Sequence, residues 1–196
     1  IIKYKPLTLV YILLSSVLYL WFAYDLERTE AIKLVLLYVA LFIFAFQIIK
    51  STGFYFRILV GAAILFRLLF LLAIPNLSQD FYRFIWDGRL IIEGLNPYLY
   101  TPESFIISGN IPVENGMTLY EGMGPLNGSH FSNYPPLNQL LFALATFLGG
   151  KSVLGAIIGL RSIIILADIG IFYFGRKLFI PVKKNTRDYQ IHGWKS

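Results

Sequence analysis

The sequence predicts an all-α fold, a polytopic membrane helical bundle of about five hydrophobic segments with a long external loop that carries amphipathic juxtamembrane helices. Three observations predict it. With 57% hydrophobic and only 14% charged residues, the chain is far more apolar than a soluble domain, in which about a quarter of residues are charged. Its apolar residues gather in runs near the roughly 20 residues that cross about 30 Å of hydrocarbon. Between the third and fourth runs lie residues 75–133, too long a connection to be idle in a compact protein.

In chain order, Lys3 and Lys5 precede a first apolar run, residues 7–24. It exceeds a signal-peptide core and no small-residue cleavage site follows, so it reads as a retained span. Asp25, Glu27 and Glu30 link it to residues 31–49, closed by Lys50, and a third run covers residues 54–74. Lysines at the start and after the second run put the N-terminus in the cytoplasm by the positive-inside bias. The third run then delivers residues 75–133 to the outside. Tyr134-Pro135-Pro136 opens a shorter run, residues 134–149, and residues 153–174 form a further span containing Arg161 and Asp168. The tail after Gly175 is polar and basic. If residues 134–149 cross, that tail lies outside against the bias; if they are re-entrant, Lys151 does.

The net charge of +6 does not point to nucleic acid, because the basic residues are scattered around the apolar runs. With no cysteine there is neither a disulfide nor a thiolate metal site, and no spacing of His, Asp and Glu resembles a zinc site. No metal and no cofactor is expected.

The external loop holds six acids against two arginines, Arg83 and Arg89. Within it, Phe81, Phe84, Ile85, Ile91, Ile92 and Leu95 recur at helical spacing with Gly88 on the same face, which predicts an amphipathic helix over 78–94. Ser78 suits its N-cap, Gly94 its C-terminal stop, and Asn96-Pro97 forbids continuation. Too short and too charged to span, this helix is expected to lie in the membrane interface with Tyr82 and Trp86 at headgroup level. Thr101-Pro102-Glu103 reads as the cap and first turn of a second short helix, and residues 108–132 read as an irregular surface segment.

Asp80 begins the interfacial helix just beyond a span, where it could reach a lipid-borne substrate and act as a general base. It could equally cap the helix and meet Arg83. Asp87 and Glu93 are expected to pair with Arg83 and Arg89. Arg67 and Arg161 lie within apolar runs, where charge is expensive and usually faces a bundle interior. They could neutralise a lipid phosphate or pair internally. His130 is a lone loop histidine, and the sequons at Asn76 and Asn127 are too common a pattern to carry weight.

The stretch SQDFYRFIWDGRLIIEGLNPY, followed by Tyr100-Thr101-Pro102 and by Tyr134-Pro135-Pro136 opening a run, resembles the first external loop of the GT-C glycosyltransferases. The subgroup it is most similar to is the mannosyltransferases that use polyprenyl-phosphate or dolichyl-phosphate mannose, including the GPI mannosyltransferase type. There an acid-containing motif, often Asp-x-Asp, leads into a juxtamembrane helix. Asp80 falls on the second acid and Ser78 replaces the first, which keeps the base but not a two-carboxylate role.

The resemblance implies transfer of a sugar, with inversion, from a polyprenyl-phosphate donor held in membrane lipid to a hydroxyl of a glycan or lipid-linked acceptor. Asp80 would be the base, and Arg83, Arg67 or Arg161 would face the leaving phosphate. Tyr82, Trp86, His130 and Tyr134 complete the candidate substrate-binding residues. The relatives typically have more spans, which implies an N-terminal portion or a short member. A non-enzymatic membrane protein, a lipid-carrier transporter or an assembly subunit, is the competing reading.

Overall fold

The computed structural model describes the backbone of residues 6–192 and the side chains of residues 6–178; Lys3 and Lys5, which carry the orientation argument, lie outside them. Among the described residues every regular element is a helix: α1 (Pro6–Tyr24), α2 (Ala31–Thr52), α3 (Phe56–Leu69), α4 (Asp80–Ile92), α5 (Pro102–Ser108), α6 (Gly116–Ser129), α7 (Pro136–Gly149) and α8 (Val153–His192). By its contacts the chain divides into Ile1–Ile163 and Ile164–Ser196, and residues 164–192 of the second continue α8.

Among the described residues, three helices are long and apolar enough to cross a membrane: Pro6–Tyr24, Ala31–Thr52 and Val153–Leu178. Two of the five expected segments are shorter. Residues 54–74 do not form one long helix, because after Leu69 the amide of Phe70 bonds Arg67 O and that of Leu71 bonds Leu68 O, the tight turns that end helices. The remaining α3 has 14 residues, as has α7, and each is about 21 Å long. That falls short of the hydrocarbon thickness.

Helices α1 and α2 form a hairpin that is fastened at both ends. At the link, Lys33 Nζ donates to the Asp25 carboxylate at 2.6 Å and to Glu30 at 3.0 Å. Hydrogen bonds from Lys33 and from the Trp21 indole hold the Asp25 carboxyl below the usual carboxylate range. At the other end, Thr8 Oγ1 donates to Ser51 Oγ at 2.8 Å. Helix α2 stops where Gly53 enters the left-handed region at φ +59° and returns its amide to Ile49 O. Ile32, Leu36 and Phe42 remain exposed, which suits helices whose outer faces meet lipid tails.

Helix α4 departs from the interfacial helix that its stripe predicts. Phe81, Arg83, Ile85, Trp86, Asp87, Gly88, Arg89 and Leu90 are all buried, so the helix is covered on nearly every face. Trp86 is fully buried beside Phe105 in a core with Ile85, Leu119, Met123 and Ile157. The reason is tertiary: residues 108–132, expected to be irregular, contain α6. That helix and α7 pack on opposite parts of α4, while Phe84 stacks on Phe142 with ring centroids 4.5 Å apart.

Local signals held where they were local. Helix α4 ends as expected, with Gly94 at φ +76° and the amide of Leu95 returning to Leu90 O. Thr101 Oγ1 accepts the amide of Ser104 at 3.2 Å and caps α5, with Pro102 in its first turn. Helix α7 starts at Pro136, directly after the Tyr134-Pro135 pair.

Close backbone approach fixes the crossing of α4 on α7. A Cβ at Gly88 would lie 2.5 Å from Phe142 O and 2.8 Å from Thr146 Oγ1. At the next crossing, a Cβ at Gly159 would lie 2.7 Å from Ala145 O. Gly61 on α3, by contrast, has nothing within 4 Å of a built Cβ. Gly88→Ala should therefore cost about 1–3 kcal/mol by forcing the two helices apart. Gly61→Ala should be neutral or stabilise by up to about 1 kcal/mol. Thermal unfolding of the two variants in detergent tests this, and equal melting temperatures would contradict it.

Candidate active site

The candidate site is built on the first two turns of α4. Asp80 opens the helix and is partly exposed; its amide donates to Ser78 Oγ at 3.2 Å. The position immediately before the helix is Gln79, whose side chain makes no cap bond, so Ser78 serves Asp80 from one residue further out than an N-cap. The Asp80 carboxylate does not meet Arg83. Its Oδ1 accepts from Asn127 Nδ2 at 3.2 Å, and no described residue bonds Oδ2.

Arg83 turns to the other acid of the helix. Its Nε donates to Asp87 Oδ1 at 2.8 Å, as the spacing of four suggests, and both side chains are buried, Asp87 completely. Nη1 donates to Asn127 O at 2.7 Å and His130 O at 2.9 Å. Asp87 Oδ2 accepts from Ser132 Oγ at 2.6 Å and from Gln139 Nε2 at 2.9 Å. The network thus fastens α4 to the C-terminal end of α6 and to α7. Two of its polar atoms, Arg83 Nη2 and Gln139 Oε1, are buried with no partner among the described residues.

Arg89 does not pair with Glu93. Its guanidinium donates to Glu114 O, to Lys151 O at 3.0 Å and to Gly150 O at 3.4 Å, stitching the end of α4 to the links before α6 and α8. Burial holds its pKa below the ordinary guanidinium value, and Glu114 opposes that shift.

Asp80 is tied to the end of α1 as well. Gln79 Oε1 accepts from Arg28 Nη1 at 3.2 Å, while Gln79 Nε2 donates to Met123 O at 3.1 Å. Asn76 Nδ2 donates to Phe22 O and Leu26 O, both at 2.8 Å. The amides of both sequon asparagines, Asn76 and Asn127, are therefore engaged inside the fold. Helix α6 is broken at Gly124, with φ +76° and ψ 165° followed by Pro125, and this break lets Met123 face Gln79 while Asn127 faces Asp80.

The other candidates divide into two groups. His130 and Tyr134 join Asp80 and Arg83 at this end of α4. His130 is exposed and offers its carbonyl to Arg83, and Tyr134 is close enough to Asp80 and Asp87 to feel both charges. The ring of Tyr134 lies edge-on to Phe84, 5.0 Å between centroids, and its carbonyl accepts the Tyr98 hydroxyl. Tyr82 packs on Phe81 and under Gly122, where an added Cβ would lie 2.5 Å from its ring. Trp86 belongs to the core, and its indole nitrogen has no partner among the described residues.

Arg67 is exposed on α3. Arg161 is half-buried on α8, close enough to Tyr24 to interact electrostatically, and its buried Nη1 has no partner among the described residues. Sequence reasoning passed over Gln79, Asn127, Ser132 and Gln139. The signal available for Asn127 was the Gly122-Met123-Gly124-Pro125 break before it, which forbids one continuous helix.

Removing Asp87 leaves a buried guanidinium uncompensated, a cost of about 3–5 kcal/mol. Asp87→Leu should thus lower the unfolding transition steeply, whereas Asp80→Asn should change stability by less than about 1 kcal/mol, because the amide keeps a polar group beside Asn127. Denaturation of both variants in detergent reads the difference. Similar losses would show that Arg83 does not depend on Asp87.

Comparison with known proteins adds the family. No curated protein and no solved structure matches the chain. The family model described as alpha-(1->6)-mannopyranosyltransferase, N-terminal domain, matches residues 10–186, which takes in every helix described above, though not the ends of α1 and α8. With helices of spanning length and an open carboxylate at the head of its central buried helix, the chain belongs to this mannosyltransferase family and is an integral membrane protein.

Proposed function

We propose that the chain carries the catalytic acid–base site of a GT-C type mannosyltransferase that takes its sugar from a polyprenyl-phosphate donor. The observation that carries this reading is the contrast between the two acids of α4. Asp87 is completely buried and bonded to Arg83, Ser132 and Gln139, whereas Asp80 keeps one oxygen open at the head of the helix. A carboxylate held at one oxygen and open at the other suits a general base. Family membership favours transfer over the transporter or assembly-subunit reading.

In the reaction, Asp80 Oδ2 accepts the proton of an acceptor hydroxyl as that oxygen attacks the anomeric carbon of mannose. The bond from that carbon to the phosphate oxygen breaks, polyprenyl phosphate leaves with the electron pair, and the configuration inverts. The leaving phosphate needs a cation. Arg83 has donors on Asp87, Asn127 and His130 and is buried, so it is the weakest of the three candidates. Arg161 suits the role better. Its Nη1 has no partner among the described residues, and its charge interacts with Tyr24, whose hydroxyl donates to Leu69 O, at the end of α1 that Asn76 and Arg28 tie to the approach to Asp80. His130 and Tyr134, beside Asp80, would meet the sugar or the acceptor.

The membrane arrangement that goes with this reading is a multi-pass chain with a cytoplasmic N-terminus. Residues 75–133 lie on the external face, where a lipid-anchored donor presents its sugar. The five hydrophobic segments then belong to one membrane domain, in which residues 54–74 cross as α3 and the turns after Leu69, from the Thr8–Ser51 end of the hairpin to the end where Asn76 bonds Phe22 O and Leu26 O.

Asp80→Asn should abolish mannose transfer from polyprenyl-phosphate mannose in membranes containing the protein, with insertion unchanged. Full transfer by that variant would end the proposal. Arg161→Gln should raise the KM for the donor about tenfold, by removing one charge-assisted contact of about 1.4 kcal/mol. An unchanged KM would remove Arg161 from the phosphate.

A further inference from the structure

The geometry assigns Asn127 as the residue that positions the Asp80 carboxylate, an inference that rests on Asp80 being the base. Asn127 contacts two parts of α4 at once. Its side-chain amide nitrogen donates to Asp80 Oδ1 at 3.2 Å, and its backbone carbonyl accepts from Arg83 Nη1 at 2.7 Å. Only the nitrogen end of the amide can face a carboxylate, because the oxygen end would repel it. Oδ1 is thereby occupied and Oδ2 is left as the proton-accepting oxygen.

Arg83 anchors the carbonyl of Asn127 from inside the buried Arg83–Asp87 pair. The amide that reaches Asp80 is therefore fixed in place by the most constrained interaction in the helix. Nothing about α6 as a regular helix requires this. The segment before Asn127 is broken by Gly124, at φ +76°, a conformation that an L side chain adopts only under strain. The break turns Met123 O to Gln79 and the Asn127 amide to Asp80, so adjacent residues 79 and 80 are each held from a different half of α6.

The charged and titratable groups around this carboxylate come from several elements. Arg28, in the link between α1 and α2, bonds the neighbouring Gln79; Arg83 and Asp87 lie on α4; His130 ends α6; and Tyr134 precedes α7. None of these bonds Asp80 directly, and Asn127 does. Without its donor the carboxylate turns about its own side-chain bonds, and a base displaced by about 1 Å can lose about a hundredfold in rate.

The test measures transfer from polyprenyl-phosphate mannose against pH in membranes containing the protein, for wild type, Asp80→Asn, Asn127→Leu and Asn127→Asp. Asn127→Leu should lower kcat about tenfold to a hundredfold with the donor KM nearly unchanged. Asn127→Asp sets a second carboxylate beside the first, and like charges favour protonation. The acid limb of its kcat profile should therefore move up by about one pH unit or more. Infrared difference spectra of each Asn127 variant against its double variant with Asp80→Asn isolate the Asp80 carboxyl band. That band should persist to higher pH in Asn127→Asp, a readout that needs no turnover.

Variants that lose activity only in proportion to folded protein, with the acid limb and the carboxyl band unmoved, would overturn the positioning role while leaving Asp80 as base. Transfer retained in Asp80→Asn would instead overturn the base itself, and the role of Asn127 with it.

Discussion

A guanidinium and a carboxylate taken out of water must find each other and all their remaining partners, and the Arg83–Asp87 pair imposes that constraint on the centre of this protein. The charges sit on consecutive turns of α4 at 2.8 Å with almost no exposure. Their unused valences dictate what surrounds them. Arg83 demands carbonyls, which the end of α6 provides through Asn127 and His130. Asp87 demands donors, which Ser132 and Gln139 provide. A helix that would otherwise be a half-exposed amphipathic element is thereby enclosed by α6 and α7. Such a pair adds little net stability, since desolvation offsets most of its attraction. What it fixes is register, because any slip of α6 or α7 along α4 would strand a buried charge.

The enclosure sets up a gradient along α4. At its C-terminal end Arg89 is committed to three backbone carbonyls, and in the middle Asp87 and Arg83 are committed to each other. Only the N-terminal turn keeps an acid with an open oxygen. That turn is also where the chain arrives from the apolar helices, tied by Asn76 to Phe22 O in α1 and Leu26 O in the link after it, and by Gln79 to Arg28. The C-terminal end of the helix is committed to the fold, and the end tied to α1 carries the carboxylate with an open oxygen.

The fold was legible in the sequence wherever the deciding interaction was local. Gly94 stops α4, Thr101 and Pro102 start α5, and the apolar runs of α1, α2 and α8 are long enough to declare themselves. What the sequence hid was decided by partners distant in the chain. The stripe of α4 reads as interfacial because its charges look solvated, and nothing within residues 78–94 reveals that Ser132 and Gln139 lie across from Asp87, 45 and 52 positions away. Helix α6 was invisible because its Gly and Asn content lowers helix propensity. The pairing of Arg83 with Asp87 was readable from spacing, whereas the Arg89–Glu93 pair was not formed because backbone carbonyls were better placed.

The apolar surface divides along the same line. On α1 and α2, residues such as Leu13, Ile32 and Phe42 point outward with nothing to cover them, as expected where the solvent is hydrocarbon and the helix needs only its own backbone bonds. On α4 the large side chains, Trp86, Ile85 and Leu90, are buried as completely as in a water-soluble core. A single chain therefore shows two patterns of burial, outward-facing apolar side chains on α1 and α2 and enclosed ones on α4, and Asn76 to Asp80 is the short stretch that leads into the second. The Asp80 carboxylate, open at one oxygen, stands at the end of that stretch. The rest of α4 has less freedom, because the carboxylate of Asp87 and the guanidinium of Arg89 are bonded within the fold and Arg83 is paired with Asp87.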